Sequence, residues 1–63
     1  MKTIFKIDSD SKDICGWGNE RDVVEITDPK EILPLIKNYL NKVANQQNVN
    51  AINFAIEIKK SSN

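Results

Sequence analysis

The residues of this chain that could do chemistry lie almost entirely between Asp8 and Asp28. Asp8-Ser9-Asp10-Ser11-Lys12-Asp13 sets carboxylates at alternate positions, as a calcium loop does when it gathers oxygen ligands around a hard cation. The rest of that pattern is missing. Lys12 stands where the third ligand would fall, no glycine holds the sixth position and no glutamate the twelfth. The stretch therefore reads as a solvated polar turn. Cys15 is the only cysteine, and the chain has no histidine. That excludes an internal disulfide and a Cys/His zinc site, and it leaves the thiol without an imidazole base. Cys15 is expected to be a buried or half-buried structural residue.

Gly16-Trp17-Gly18 has neither the glycine spacing nor the lysine of a phosphate loop. Its tryptophan is instead a candidate anchor for a partner protein, since tryptophan is enriched where binding energy concentrates. Around it Asp8, Asp10, Asp13, Glu20, Asp22, Glu25 and Asp28 are relieved only by Lys12 and Arg21. If the turns gather at one end, these acids form a negative surface that steers a basic partner. The protein-binding set expected from sequence is Trp17, Asp10, Asp13 and Glu20. No spacing supplies a nucleophile, a base and an orienting group together, so no catalytic, cofactor-binding or metal residues are assigned.

The elements that must position these residues follow from periodicity. Thr27 or Asp28 can cap a helix, and with Asp28 as the cap Pro29 stands at its first position and Glu31 three residues on. Ile32, Ile36, Tyr39, Leu40 and Val43 continue at helical spacing. Pro34 requires either a distorted first turn or a separate turn before the regular helix. Residues 45–50 read as a loop. Ile52, Phe54, Ile56 and Ile58 alternate with polar or small residues, which is a strand with one buried face. Thr3 to Asp8 and Arg21 to Thr27 read as further strands. Asp13 to Trp17 reads as a short one, with Gly18-Asn19 as a hairpin turn, the alternative being one long loop over residues 9–20. That turn would put Cys15, Trp17, Val24 and Ile26 on one face, together with Asp22, whose charge is tolerable there only at an edge.

The expected fold is α+β, a small three- to four-stranded antiparallel or mixed sheet with one helix on one face. The order is β-β-β-α-β, with the last strand parallel to the first, or β-β-α-β with all pairs antiparallel. Residues 1–63 form one domain, with 60–63 as a frayed tail. Ile36, Leu40, Val43, Phe54, Ile56 and Ile58 are the expected core.

Composition narrows function by exclusion. Lys+Arg and Asp+Glu are equal at 9 each, so direct nucleic-acid binding lacks its basic footprint. Residues 1–31 carry five basic and eight acidic groups, and residues 32–63 four and one. Met1 to Lys6 is too short and interrupted for a signal peptide, and no apolar run approaches a membrane span. The chain is expected to be cytoplasmic, with no membrane partner. The expected function is a non-enzymatic protein-interaction module, an inhibitor or antitoxin-like regulator of the phage anti-defence type. It would block a larger effector, such as a nucleic-acid-handling protein whose groove it occupies. The alternative is a structural domain that completes its core or sheet as a homo-oligomer, through open sheet edges and a weakly apolar patch at Ile4, Val23 and Ala55.

Overall fold

The computed structural model describes residues 2–61. Its elements run β1 (Lys2–Asp13), β2 (Gly16–Trp17), β3 (Asp22–Ile26), α1 (Ile32–Val43) and β4 (Ala51–Ser61). This is a β-β-β-α-β chain folded into a four-stranded, wholly antiparallel sheet with a single helix. β1 is the central strand. β4 pairs along one of its edges from Lys12↔Ala51 to Lys2↔Ser61. β2 and β3 share the other edge, at Lys12↔Trp17 and from Ser9↔Asp22 to Phe5↔Ile26.

β2 and β3 are thus successive segments along one side of β1, separated by the detour through residues 18–21. This corrects two expectations. The hairpin reverses at Ile14-Cys15, not at Gly18-Asn19. Gly16 and Gly18 take φ of +111° and +92°, values that L side chains rarely adopt. Because β3 continues the direction of β2, it ends beside Phe5, and α1 carries the chain back toward Lys12. β4 therefore starts at the far end and runs antiparallel to β1, not parallel to it.

Asp28 caps the approach to the helix as its type demands. Its carboxylate accepts from Lys30 N at 3.0 Å, over a 3₁₀ turn at Pro29–Glu31. The regular helix begins at Ile32, which leaves Pro34 in the first turn, where the missing N–H has no intrahelical partner. Glu31 makes no side-chain cap bond.

β1 also runs further than its composition suggests. Asp8 to Asp13 is strand, not turn, and Ser9 and Ser11 are buried beneath the helix. Ser11 is fully enclosed, and its Oγ accepts from Asn19 Nδ2 at 3.3 Å. With them lie the three buried apolar residues, Ile7, Tyr39 and Val43. Tyr39 meets Phe54 edge to face, ring centroids 5.6 Å apart, and its hydroxyl donates to the carbonyl of Glu20.

Of the expected core, Val43 is buried, and Ile36 and Phe54 are half-buried. Leu40, Ile56 and Ile58 are exposed, at 40%, 46% and 62%. Their face is the expected one, but its cover is too small. A helix of 12 residues spans about 18 Å, whereas a strand of 11 spans about 36 Å. Lys60 and Ser61, assigned to the frayed tail, belong to β4. Ser62 and Asn63 lie outside the described residues.

Candidate protein-binding site

The hairpin tip from Asp10 to Asn19 is built by its own acidic side chains. Asp13 Oδ1 accepts from Cys15 N at 2.8 Å, which closes the Ile14-Cys15 turn. Asp10 Oδ1 accepts from Ser11 N at 2.9 Å and from Gly18 N at 3.0 Å, tying the returning chain to β1. Asn19 N donates to Ser11 O at 3.2 Å, and Asn19 Nδ2 donates to Gln46 Oε1 at 2.8 Å. The tip is therefore linked to the chain that follows α1. On this frame Ile14 is 81% exposed and Trp17 53%. Trp17 pairs with Lys12, on the sheet face opposite the helix. Cys15, expected inside, is exposed at the turn itself, because the reversal comes four residues earlier than glycine chemistry suggested.

The acidic cluster divides into two parts. Asp8 forms a two-bonded pair with Arg21, at 2.7 and 3.2 Å. Lys42 Nζ lies 3.2 Å from both Glu20 and Asp22, and Lys59 lies 3.2 Å from Glu25. Lys42 and Lys59 thus bring cations from the second half of the sequence to acids of the first, while Lys6 pairs with Glu57 in the opposite sense. Asp22 does point to the helix face, but it lies on the edge strand β3 with Lys42 above it. Of the three acids assigned to binding, Glu20 is held by Lys42, while Asp10 and Asp13 have no cationic partner among the described ion pairs. Trp17, Asp10 and Asp13 come together at the tip, and Glu20 sits at its base toward α1.

Arg21, bonded to the Asp8 carboxylate, holds that group's pKa below the usual 3.8, with the charges of Arg21 and Lys6 adding to the effect. A depressed carboxylate contributes stability that is present above 3.8 and lost as pH falls through the folded value. Lys42 is the mirror case. Hydrogen bonds to Asp22 and then Glu20 raise it above 10.5, so its contribution is full below that value and lost as pH rises past the folded one. Thermal melts across pH are expected to fall at both extremes. Asp8→Asn should flatten the acid limb, and Lys42→Met should flatten the alkaline limb. Identical profiles for parent and variants would contradict the assignment.

Strand geometry keeps the calcium-like stretch from acting as one. Asp8, Asp10 and Lys12 point to one sheet face, with Ser9 and Ser11 on the other. No three metal-ligating side chains converge among the described residues. A cleft of about 130 Å³ lies between α1 and β3, walled by Ile7, Val24, Leu35 and Tyr39 and rimmed by Asp22 and Lys42. It is well below the size of sites that enclose small-molecule ligands, roughly 300–1,000 Å³. No helix among the described residues is long and apolar enough to cross a membrane. The chain finds no match among family models, curated proteins or solved structures.

Sequence reasoning missed Asn19 and Gln46 as the residues that fix the tip. An asparagine after glycine signals a turn, and nothing in the sequence shows that its amide reaches a buried serine and a second loop.

Proposed function

We propose that this chain is a non-enzymatic protein-interaction module that inhibits or regulates a larger protein by inserting its Ile14–Trp17 tip into that protein's surface. The observation that carries this reading is the exposure of Trp17 and Ile14 on a turn already fixed by Asp10, Asp13 and Asn19. A large apolar side chain on a pre-ordered turn loses little further freedom on binding, so most of its burial appears as affinity. Asp10 and Asp13 outnumber Lys12 around it, which favours a partner socket with an apolar floor and a basic rim. The nucleic-acid groove of an effector protein has that character, which fits an antitoxin-like or phage anti-defence inhibitor.

The test is capture from the native host lysate with the full chain as bait. A partner held by the parent bait should be lost from Trp17→Ala bait and kept by a bait carrying Lys37→Ala and Asn41→Ala on the exposed helix face. Equal recovery by the Trp17→Ala bait would remove the tip from the interface, and loss from the helix-face bait would move the site there.

A further inference from the structure

We infer that two copies of this chain pair through the open edge of β4, in one register, to form a continuous sheet with both helices on the same face.

β4 is 11 residues long and, among the described residues, its backbone ladder is with β1 alone. Ser11 O accepts from Asn19 on the β2 side, and Lys12 O accepts from Asn50 on the β4 side. Successive residues of a strand turn their backbone groups to opposite edges, so the even residues of β1 bond to β4. Their partners in β4 are Ala51, Asn53, Ala55, Glu57 and Lys59. The N–H and C=O of Ile52, Phe54, Ile56 and Ile58 consequently point to the open side. The other edge is defended differently: β3 is only 5 residues long and turns a charged residue, Asp22, toward the helix face. β4 has no proline, no bulge and no inward charge between Ala51 and Lys59, and its charged residues there, Glu57 and Lys59, lie on the outer face, paired with Lys6 and Glu25.

The apolar surface follows the same edge. At 100° per residue, the cleft-lining Leu35 and Asn38 face β3, which puts Leu33 and Leu40 on the flank toward β4. Leu33 is 76% exposed, and Ile56 and Ile58 stand uncovered beside that flank. The chain's accessible surface is 4619 Å², whereas a compact monomer of 7.2 kDa exposes about 4,100 Å². The surplus is a large part of the roughly 800 Å² that each partner contributes to a stable interface.

Register identifies the occupant as a second copy. Antiparallel self-pairing needs a two-fold axis perpendicular to the sheet, which keeps both helices on one side. Centred on Ala55, it opposes Ile52 to Ile58 and Phe54 to Ile56 on the helix face. On the outer face it opposes Asn53 to Glu57, Ala51 to Lys59 and Ala55 to its own copy. The four large apolar residues of β4 all meet apolar partners, and no like charges are opposed. Centring on Glu57 or Lys59 sets that charge against itself, and centring on Ile56 or Ile58 sets an isoleucine against Lys60. Centring on Phe54 leaves Ile58 opposite Asn50, outside the strand.

The experiment is sedimentation equilibrium of the full chain from low to high micromolar concentration, with a reductant present so that exposed Cys15 cannot cross-link. The parent should move from 7.2 kDa to twice that mass. Asn53→Lys places a cation opposite Glu57 at two symmetric positions and should tighten the dimer. Asn53→Glu should weaken it, each by roughly 2- to 30-fold. Ile58→Lys, at an exposed position, should leave a folded monomer by circular dichroism. A parent that stays at 7.2 kDa throughout, or a dimer whose affinity ignores both Asn53 substitutions, overturns the inference.

Discussion

Ile7→Ala is expected to unfold the chain at room temperature. Ile7 is 2% exposed at the middle of the central strand, opposite Val24 on one side and Ile56 on the other. Truncating a buried isoleucine costs about 2–5 kcal/mol, because the cavity left behind adds to the lost transfer energy. A domain of 63 residues has roughly 3–9 kcal/mol in total. With Ile7, Tyr39 and Val43 as the only buried apolar residues among those described, this one lies toward the low end of that range. Urea titration followed by circular dichroism should show the variant without a native baseline. Lys37→Ala, on the exposed helix face, should melt within about 0.5 kcal/mol of the parent. An Ile7→Ala variant that matches Lys37→Ala would mean that β1 is not the centre of the sheet.

Tyr39 carries the second large effect, in two separable parts. The ring packs edge to face on Phe54, and the hydroxyl satisfies the Glu20 carbonyl at the base of the hairpin tip. Tyr39→Phe keeps the ring and leaves that carbonyl without its donor, at about 1–3 kcal/mol. Tyr39→Ala also removes the ring, and large aromatic truncations cost about 3–5 kcal/mol. The measurement is the urea midpoint of each variant against the parent. If Tyr39→Phe is as stable as the parent, the hydroxyl does not tie the tip to the helix. If Tyr39→Ala costs no more than Tyr39→Phe, the aromatic pair contributes nothing.

Where the sequence is periodic, its physics was readable. The alternation from Ile52 to Ile58 specified β4 and its inner face, and Asp28-Pro29 specified how the helix begins. Pro34 left open a distorted first turn or a separate one, and a 3₁₀ turn at Pro29–Glu31 does precede α1, which begins at Ile32. The second half of β1 was hidden because Ser9, Asp10 and Ser11 are turn formers by composition. They lie in a strand because β4 pairs with them continuously and Asn19 satisfies the buried Ser11 hydroxyl. Periodicity also names a face without saying how much of it is covered. A short helix laid over a long strand leaves Ile56 and Ile58 in the open, and a pattern of hydrophobic residues contains no such length comparison.

At the tip, the sequence singled out Trp17, which the fold leaves 53% exposed, but the structural work done by the acids around it was not legible. Charge counting treats Asp8, Glu20, Asp22 and Glu25 as one negative surface. The fold pairs Asp8 with Arg21, Glu25 with Lys59, and Glu20 and Asp22 together with Lys42, and leaves Asp10 and Asp13 at the tip. The steering charge expected of the site is therefore smaller than the sequence implies, and the apolar anchor matters more. The long-range part of binding should depend on Asp10 and Asp13, and the short-range part on Trp17.

The most direct measurement is the binding kinetics of the captured partner on immobilised parent, Trp17→Ala and Asp10→Asn/Asp13→Asn chains at several salt concentrations. Trp17→Ala should associate at nearly the parent rate and dissociate at least about 30-fold faster, equivalent to a loss of about 2 kcal/mol of affinity. The double asparagine variant should associate more slowly and with a flatter salt dependence. Parent-like kinetics in both variants would contradict a binding site at the Ile14–Trp17 tip.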